Sequence, residues 1–209
     1  MKRCFIFSAG TFYGLRERPC AGDLVIAADA GYRTCLRLGI TPDLVEGDFD
    51  SMEEPEEFPH VLRVPVEKDD TDTMLAAKIG AERGCGAFYL YGATGGSRLD
   101  HTLANFQTLL WLKKRGAECV LYDREFAFTA LCGGTVEIPR QVERGIVSVL
   151  CLGETARGVT ERGLQYPLEN AVLTPGFPLG VSNHILAERA SVQADSGDLI
   201  VGWQLPPLA

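Results

Sequence analysis

Up to about Tyr122 the chain alternates short apolar runs with stretches of helical spacing, and most of the runs are followed by an aspartate. Cys4–Ser8, Leu24–Asp29, Asp43–Glu46, Val61–Val66, Ala87–Tyr91 and Glu118–Asp123 are rich in β-branched or aromatic residues and mostly uninterrupted by charge. Runs of this kind suit strands covered on both faces, as in a parallel sheet. Between them, Met74, Leu75 and Ile79 fall on one helical face, with Asp70 or Thr71 as N-cap and a stop near Gly84. From Asp100 to Arg115 a second stripe of Leu103, Phe106, Leu110 and Trp111 ends in Lys113, Lys114 and Arg115, where a helix dipole favours cations. Gly116 closes it. Such alternation predicts a doubly wound, Rossmann-like parallel sheet with helices on both faces.

Beyond Tyr122 no long helical stripe occurs. Phe126–Leu131, Cys132-Gly133-Gly134-Thr135 and Val136–Ile138 together read as a hairpin. Ile146–Leu152, Ala171–Leu173, Ala190–Ala194 and Leu199–Gln204 are further short strands, with a turn at Ser196-Gly197-Asp198 before the last. The expected organisation is an α/β domain over residues 1–123 and an all-β sandwich or barrel over residues 124–209. The second is small for independent stability.

Of the 209 residues 46% are hydrophobic and 23% charged, the balance of a globular protein. A formal charge of −8 argues against nucleic acid or an anionic membrane as partner. An acidic chain still binds a polyphosphate when a divalent cation mediates. No apolar run approaches the roughly 18 residues of a membrane span, and Cys4–Phe7 is shorter than the roughly 7–15 residues of a signal-peptide core. The seven cysteines are odd in number and scattered, with no C-x-x-C pair, so reduced thiols and a cytoplasmic location are expected.

The aspartates carry the chemistry. Asp29 ends one run, and Asp48 and Asp50 follow another in Gly47-Asp48-Phe49-Asp50-Ser51. Asp69, Asp70 and Asp72 come after Val61–Val66, and Asp100 follows the loop after Tyr91. In an open parallel sheet the carboxyl ends of the strands share the edge where ligands bind, so these side chains converge on one crevice. Singly, an aspartate there also serves as a cap or turn residue. Crowded carboxylates call for a cation, and hard oxygen donors suit Mg²⁺, whereas the lack of a histidine or thiolate grouping argues against zinc. Gly92-Ala93-Thr94-Gly95-Gly96-Ser97-Arg98-Leu99-Asp100 is a glycine-rich loop between strand and helix, suited to phosphate, with Arg98 as a fork of donors. It is neither a Walker loop nor a dinucleotide fingerprint. His60, His101 and His184 show no metal spacing, and no G-x-S-x-G elbow is present. Tyr166 and Trp203 suit either stacking on an aromatic ligand or filling a small β core.

Taken in order, Ala28-Asp29-Ala30-Gly31, Gly47-Asp48-Phe49-Asp50-Ser51, Asp69-Asp70-Thr71-Asp72, Gly95-Gly96-Ser97-Arg98-Leu99-Asp100-His101 with Asn105, Gly163-Leu164-Gln165-Tyr166-Pro167-Leu168 and Ser182-Asn183 resemble the thiamine pyrophosphokinase family. The resemblance implies diphosphoryl transfer from ATP to thiamine with Mg²⁺, giving thiamine diphosphate and AMP. It further implies an α/β catalytic domain, a β-sandwich, and a homodimer with thiamine at the subunit interface. Carried onto this sequence, it gives Asp48, Asp50 and Asp72 the Mg²⁺ shell, directly or through water, with Asp69 or Asp72 orienting the hydroxyl or accepting its proton. Asp29, Gly95, Gly96, Arg98, Asp100 and Asn105 fall to the nucleotide, and Tyr166, Ser182 and Asn183 to thiamine. Ala30, where the family often has glycine, and His184 depart from the pattern. The competing readings are an Mg²⁺-dependent nucleotide hydrolase or a kinase of another alcohol, and a non-catalytic thiamine- or nucleotide-binding protein.

Overall fold

The computed structural model describes residues 1–47, the backbone of 61–63, and residues 69–208. Its contacts divide the chain into two compact units, Met1–Thr108 with Arg115–Asp123, and Leu109–Lys114 with Arg124–Ala209.

The first unit holds β1 (Arg3–Phe7), β2 (Leu24–Ala28), α1 (Gly31–Leu38), β3 (Leu44–Gly47), β4 (Val61–Arg63), α2 (Asp72–Glu82), β5 (Ala87–Tyr91), the start of α3 (Leu99–Lys113), and β6 (Glu118–Tyr122). Its strands run parallel in the order β6-β5-β1-β2-β3-β4. The chain steps outward from β1 to β4, then returns to the other side of β1 for β5 and β6. Connections therefore diverge at β1 and β5, and such a switch point opens a crevice at the carboxyl ends.

Alternation along the strands decides which helix covers which face. Phe5 and Phe7 of β1 stack on Tyr89 and Tyr91 of β5, ring centroids 4.7 and 5.5 Å apart, and share a buried cluster with Val25, Ala27, Val45 and Cys35 of α1. Cys4 pairs with Phe88 in register and so points the other way. A Cβ added at Gly80 of α2 would lie 2.9 Å from Cys4 Sγ and 2.7 Å from the Phe88 ring. The two helices thus cover opposite faces. The long connection between β1 and β2 is pinned by Tyr91, whose hydroxyl accepts from Glu17 N at 2.9 Å and donates to Glu17 O at 3.1 Å.

Helix α1 has no counterpart among the elements expected from sequence. It is eight residues long, starts at a glycine, and has no side-chain cap at Ala30. Gly31 is there because α1 crosses the end of β1 at close range: a Cβ would fall 1.8 Å from Phe7 O. No other residue fits without moving backbone.

The second unit contains β7 (Phe126–Leu131), β8 (Gly134–Pro139), β9 (Ile146–Cys151), β10 (Ala156–Arg162), β11 (Leu168–Leu173), β12 (Gly180–His184), β13 (Arg189–Ala194) and β14 (Leu199–Gln204). Antiparallel strands β12-β9-β14-β7 form one sheet and β11-β10-β13-β8 the other. Val147, Val149, Leu199 and Val201 from one sheet interleave with Ile138, Val159, Ala190 and Val192 from the other in a single core. The expected hairpin at Cys132–Thr135 does not form. β7 pairs with β14 and β8 with β13, so Cys132-Gly133 is a corner that carries the chain between sheets. A two-residue link with Gly133 and Gly134 both at positive φ, 97° and 91°, permits that bend, and facing the shared core on both strands rewards it. β10 and β12 are additional to expectation, because ARGVTER and GVSNH mix polar and small residues with few apolar ones.

Gly31→Ala is expected to destabilise the protein by about 3 kcal/mol or more, since backbone must shift to admit the methyl group. Urea unfolding should show a lower midpoint; an unchanged midpoint would contradict the close approach.

Candidate active site

Parallel strands deliver their C-terminal residues to one edge of the first unit. Asp29 follows β2 with φ 49°, rare for a residue other than glycine, and its N–H donates to Glu46 O of β3 at 2.7 Å. Asp48 and Asp50, which follow β3, lie outside the described residues. Ahead of α2, Asp69 is exposed, while Asp70 binds Lys78 Nζ through both oxygens at 2.6 and 2.7 Å. Thr71 caps α2 by accepting from Met74 N at 3.3 Å, and Asp72 sits half-buried in its first turn, where the helix dipole favours negative charge. Ser8, buried at the end of β1, shares a 2.8 Å hydrogen bond with Thr73 and ties this turn to the sheet. Among the described residues no group of three His, Cys, Asp or Glu side chains stands close enough to hold a metal alone. The donors on this edge are carboxylate and hydroxyl oxygens, a set that fits Mg²⁺.

The glycine-rich loop after β5 is held on three sides. The β1–β5 pairing continues past the strands, with Ser8 N on Tyr91 O at 2.8 Å, Gly10 N on Gly92 O at 2.7 Å and Thr11 N on Thr94 O at 2.9 Å. From α3, Asn105 Nδ2 donates to Ala93 O at 2.7 Å; from the end of β6, Asp123 Oδ1 accepts from Thr94 Oγ1 at 2.6 Å. At Gly95, φ 72°, a Cβ would stand 2.7 Å from Thr11 Oγ1 and 2.5 Å from Tyr13 Oη. The exposed part of the loop carries Gly96, Arg98 and Asp100. Arg98 forks onto Asp100, Nε at 3.0 Å and Nη2 at 2.6 Å, and holds that carboxyl at about 2. Both side chains are open to solvent, so the pair shapes the loop more than it stabilises the fold.

In the second unit Tyr166 is 64% exposed. Ser182 is exposed at φ 62° inside a register shift of β12, where its N–H donates to Ser148 Oγ at 3.1 Å. Bulges of this kind re-aim a side chain. Asn183 is buried and its amide is committed inside the protein: Oδ1 accepts from Tyr166 N and His184 N, both at 3.0 Å, and Nδ2 donates to Tyr166 O at 2.7 Å and Glu161 Oε2 at 3.2 Å. Burial pushes the Glu161 carboxyl up to about 7, against the smaller opposing effect of the Asn183 bond.

The fold therefore brings Asp29, Asp69 and Asp72 to one edge and Gly95, Gly96, Arg98 and Asp100 into one loop, with Asn105 beneath it as an anchor. Tyr166, Ser182 and Asn183 sit on neighbouring strands or turns of the second unit. Sequence reasoning missed Ser8, Thr11, Tyr13, Thr73, Asp123 and Glu161. Ser8 and Asp123 end the first and sixth apolar runs, and the logic that selected Asp29 would have found them.

Residues 20–121 match the family model of the thiamin pyrophosphokinase catalytic domain, and residues 135–199 that of the thiamin pyrophosphokinase vitamin B1 binding domain. A thiamine pyrophosphokinase of Bacillus subtilis is 32% identical over 184 residues, 85% of this chain and 86% of that protein. The crystal structure of thiamine pyrophosphokinase from Bacillus subtilis superposes with a TM-score of 0.87 at 29% identity, covering 98% of this chain and 99% of the other. Thiamin pyrophosphokinase from Candida albicans shares the fold at 16% identity, with a TM-score of 0.77 over 98% of this chain and 90% of the other.

Asn105→Leu keeps the branched outline of the side chain but leaves Ala93 O buried without its donor, which costs about 1–3 kcal/mol. Faster amide exchange confined to residues 92–97 is expected; a uniform change across the chain would contradict the anchoring role.

Proposed function

The chain belongs to the thiamine pyrophosphokinase family, whose reaction moves the diphosphoryl group of ATP to thiamine, and it is an enzyme of that type; from this premise we propose how its residues divide the work. The observation that carries the proposal is the shared edge of the parallel sheet, where Asp29, Asp69 and Asp72 accompany an anchored glycine-rich loop. The domains are residues 1–123 for catalysis and 124–209 for thiamine, the first a Rossmann-like sheet and the second a β-sandwich.

The thiamine hydroxyl attacks the β-phosphorus of ATP in line and AMP leaves. Such transfers depend on positioning and on neutralising charge more than on covalent help from the protein. Asp48, Asp50 and Asp72 would hold Mg²⁺, directly or through water, and the ion would offset phosphate charge and orient the phosphates for displacement. Backbone N–H groups of Gly95 and Gly96 face the phosphates, and Arg98 exchanges part of its bond to Asp100 for a phosphate oxygen. Asn105 keeps the loop in place from below, and Asp29 lies beside the nucleotide. Asp69 or Asp72 orients the thiamine hydroxyl and takes its proton. Tyr166 stacks on thiamine, the Ser182 hydroxyl bonds it, and Asn183 acts through the Tyr166 backbone. The acidic crevice also favours the positive thiazolium. The enzyme is a cytoplasmic homodimer with thiamine held at the subunit interface.

Incubation with thiamine, ATP and Mg²⁺ should yield thiamine diphosphate and AMP in equal amounts, resolved by chromatography or ³¹P NMR. Thiamine monophosphate with ADP would place the attack at the wrong phosphorus, and thiamine-independent ATP loss would mean a hydrolase. Asp72→Asn should abolish turnover and leave the circular dichroism spectrum unchanged; near-wild-type kcat would sink its role. Ser182→Ala should raise KM for thiamine about tenfold, the scale of one lost hydrogen bond, with KM for ATP unaffected. An effect on ATP alone would remove Ser182 from the thiamine side.

A further inference from the structure

We propose that Glu161 is a positioning residue for the thiamine side, acting through Asn183 to hold the Tyr166 backbone beside the Ser182 turn. The inference rests on the reading of Tyr166 and Ser182 as the thiamine-binding face.

The Asn183 amide has no donor or acceptor to spare. Its two N–H groups go to Tyr166 O and Glu161 Oε2, and its oxygen takes the N–H groups of Tyr166 and His184. It therefore spans from β12 to the segment that presents Tyr166, and Glu161 is the one side chain that fixes its far end. Glu161 is 1% exposed. Oε2 accepts from Asn183, while Oε1 is buried without a hydrogen-bond partner. An unpaired buried oxygen is tolerable on a neutral carboxyl and costly on a carboxylate.

The surroundings leave little to neutralise a charge. β11 sets Leu168 opposite Glu161 and β13 sets Val192. From the facing sheet, Gly180 of β12 packs so closely that a Cβ would lie 3.3 Å from Oε1 and 3.0 Å from Val149 Cβ of β9. The charged residues on these elements, Arg157, Arg162, Glu169 and Arg189, are exposed, and half-buried His184 directs Nδ1 to Arg144 O at 2.9 Å. Burial raises the carboxyl from 4.5 to about 7. In the folded chain the proton is held over that interval while an unfolded chain has lost it. Stability from this group is therefore present below about 4.5 and is lost as pH rises towards 7. Ionisation strengthens the single Asn183 bond but leaves a buried charge with Oε1 unsatisfied. Because that desolvation outweighs the bond, above about 7 the carboxylate is drawn towards water and away from Asn183, and the Tyr166 backbone loosens.

The test uses the full chain, measuring KM for thiamine, KM for ATP, kcat and amide protection at Tyr166 and His184 from about pH 6 to about pH 8.5, a range that brackets the transition. In the wild type, KM for thiamine should rise several-fold across this range and protection of both amides should fall, with KM for ATP flat. Glu161→Gln keeps an acceptor for Asn183 and cannot ionise, so KM and protection should stay at their low-pH values throughout. Glu161→Leu removes the acceptor and should show the weakened state at every pH. Identical protection profiles in the wild type and Glu161→Gln would overturn the proposal. If Tyr166→Ala and Ser182→Ala leave KM for thiamine unchanged, the reading of the binding face fails, and the protection profiles still decide whether Glu161 braces the loop.

Discussion

Parallel register is the constraint on which the first unit depends. Because β1 to β6 all run the same way, whatever follows each strand is delivered to a single edge, and chemistry scattered over seventy-odd positions of sequence becomes local. The cost is electrostatic: Asp29, Asp69, Asp70 and Asp72 are gathered by topology, whatever their mutual repulsion. Part of it is met within the protein, by the Asp70–Lys78 pair and by the start of α2 next to Asp72. Under the function proposed above, a nucleotide polyphosphate with its cation meets the rest, which links the stability of this edge to its occupancy.

The second unit solves a different problem. Eight short strands enclose one core, with corners taking the chain from sheet to sheet, and a surface turn must still be held accurately. Asn183 does this with buried polar atoms instead of apolar packing, and a fully connected amide rigidifies a segment more specifically than a methyl contact can. The positive φ of Ser182 belongs to the same arrangement: strain in one residue is tolerated because neighbours on both sides are fixed.

Much of this was legible in the sequence. Strands buried on both faces announce themselves as unbroken apolar runs, so β1, β2, β5 and β6 were found almost to the residue. Of the two candidate caps, Thr71 is the one that caps α2. The helical faces are met only in part. On α3 Leu110 is buried, but Leu103 is exposed, and Leu109 and Leu112 are buried as well. On α2 the buried positions include Ala76, Ala77 and Gly80, with Met74, Leu75 and Ile79 half-buried, because close packing on the sheet selects small residues. What escaped was set by tertiary context. Helix α1 lacks a cap and is too short for a convincing stripe. β10 and β12 have too few apolar positions. The glycines of Cys132–Thr135 do mark a bend but not the expected hairpin, since turn residues do not say which sheet the next strand joins. Residues picked by type, such as Asp29, Asp69 and Asp72, lie where strand order delivers them. Glu161 was invisible because its meaning lies in burial, and nothing in ARGVTER marks the glutamate as internal. Asn183 was selected for contact with a ligand, and its four bonds turn inward.

The pairing that runs on past β1 and β5, from Ser8 to Thr11 on one side and Tyr91 to Thr94 on the other, also bears on how such a chain can drift over generations. An insertion or deletion in either loop alone shifts the register and strands backbone groups of its neighbour without partners. Lengths in the two segments are therefore coupled, although more than eighty positions separate them. Change there must arrive as substitutions, or as matched edits in both, while exposed turns of the second unit, such as the one around Phe177, are free to lengthen singly.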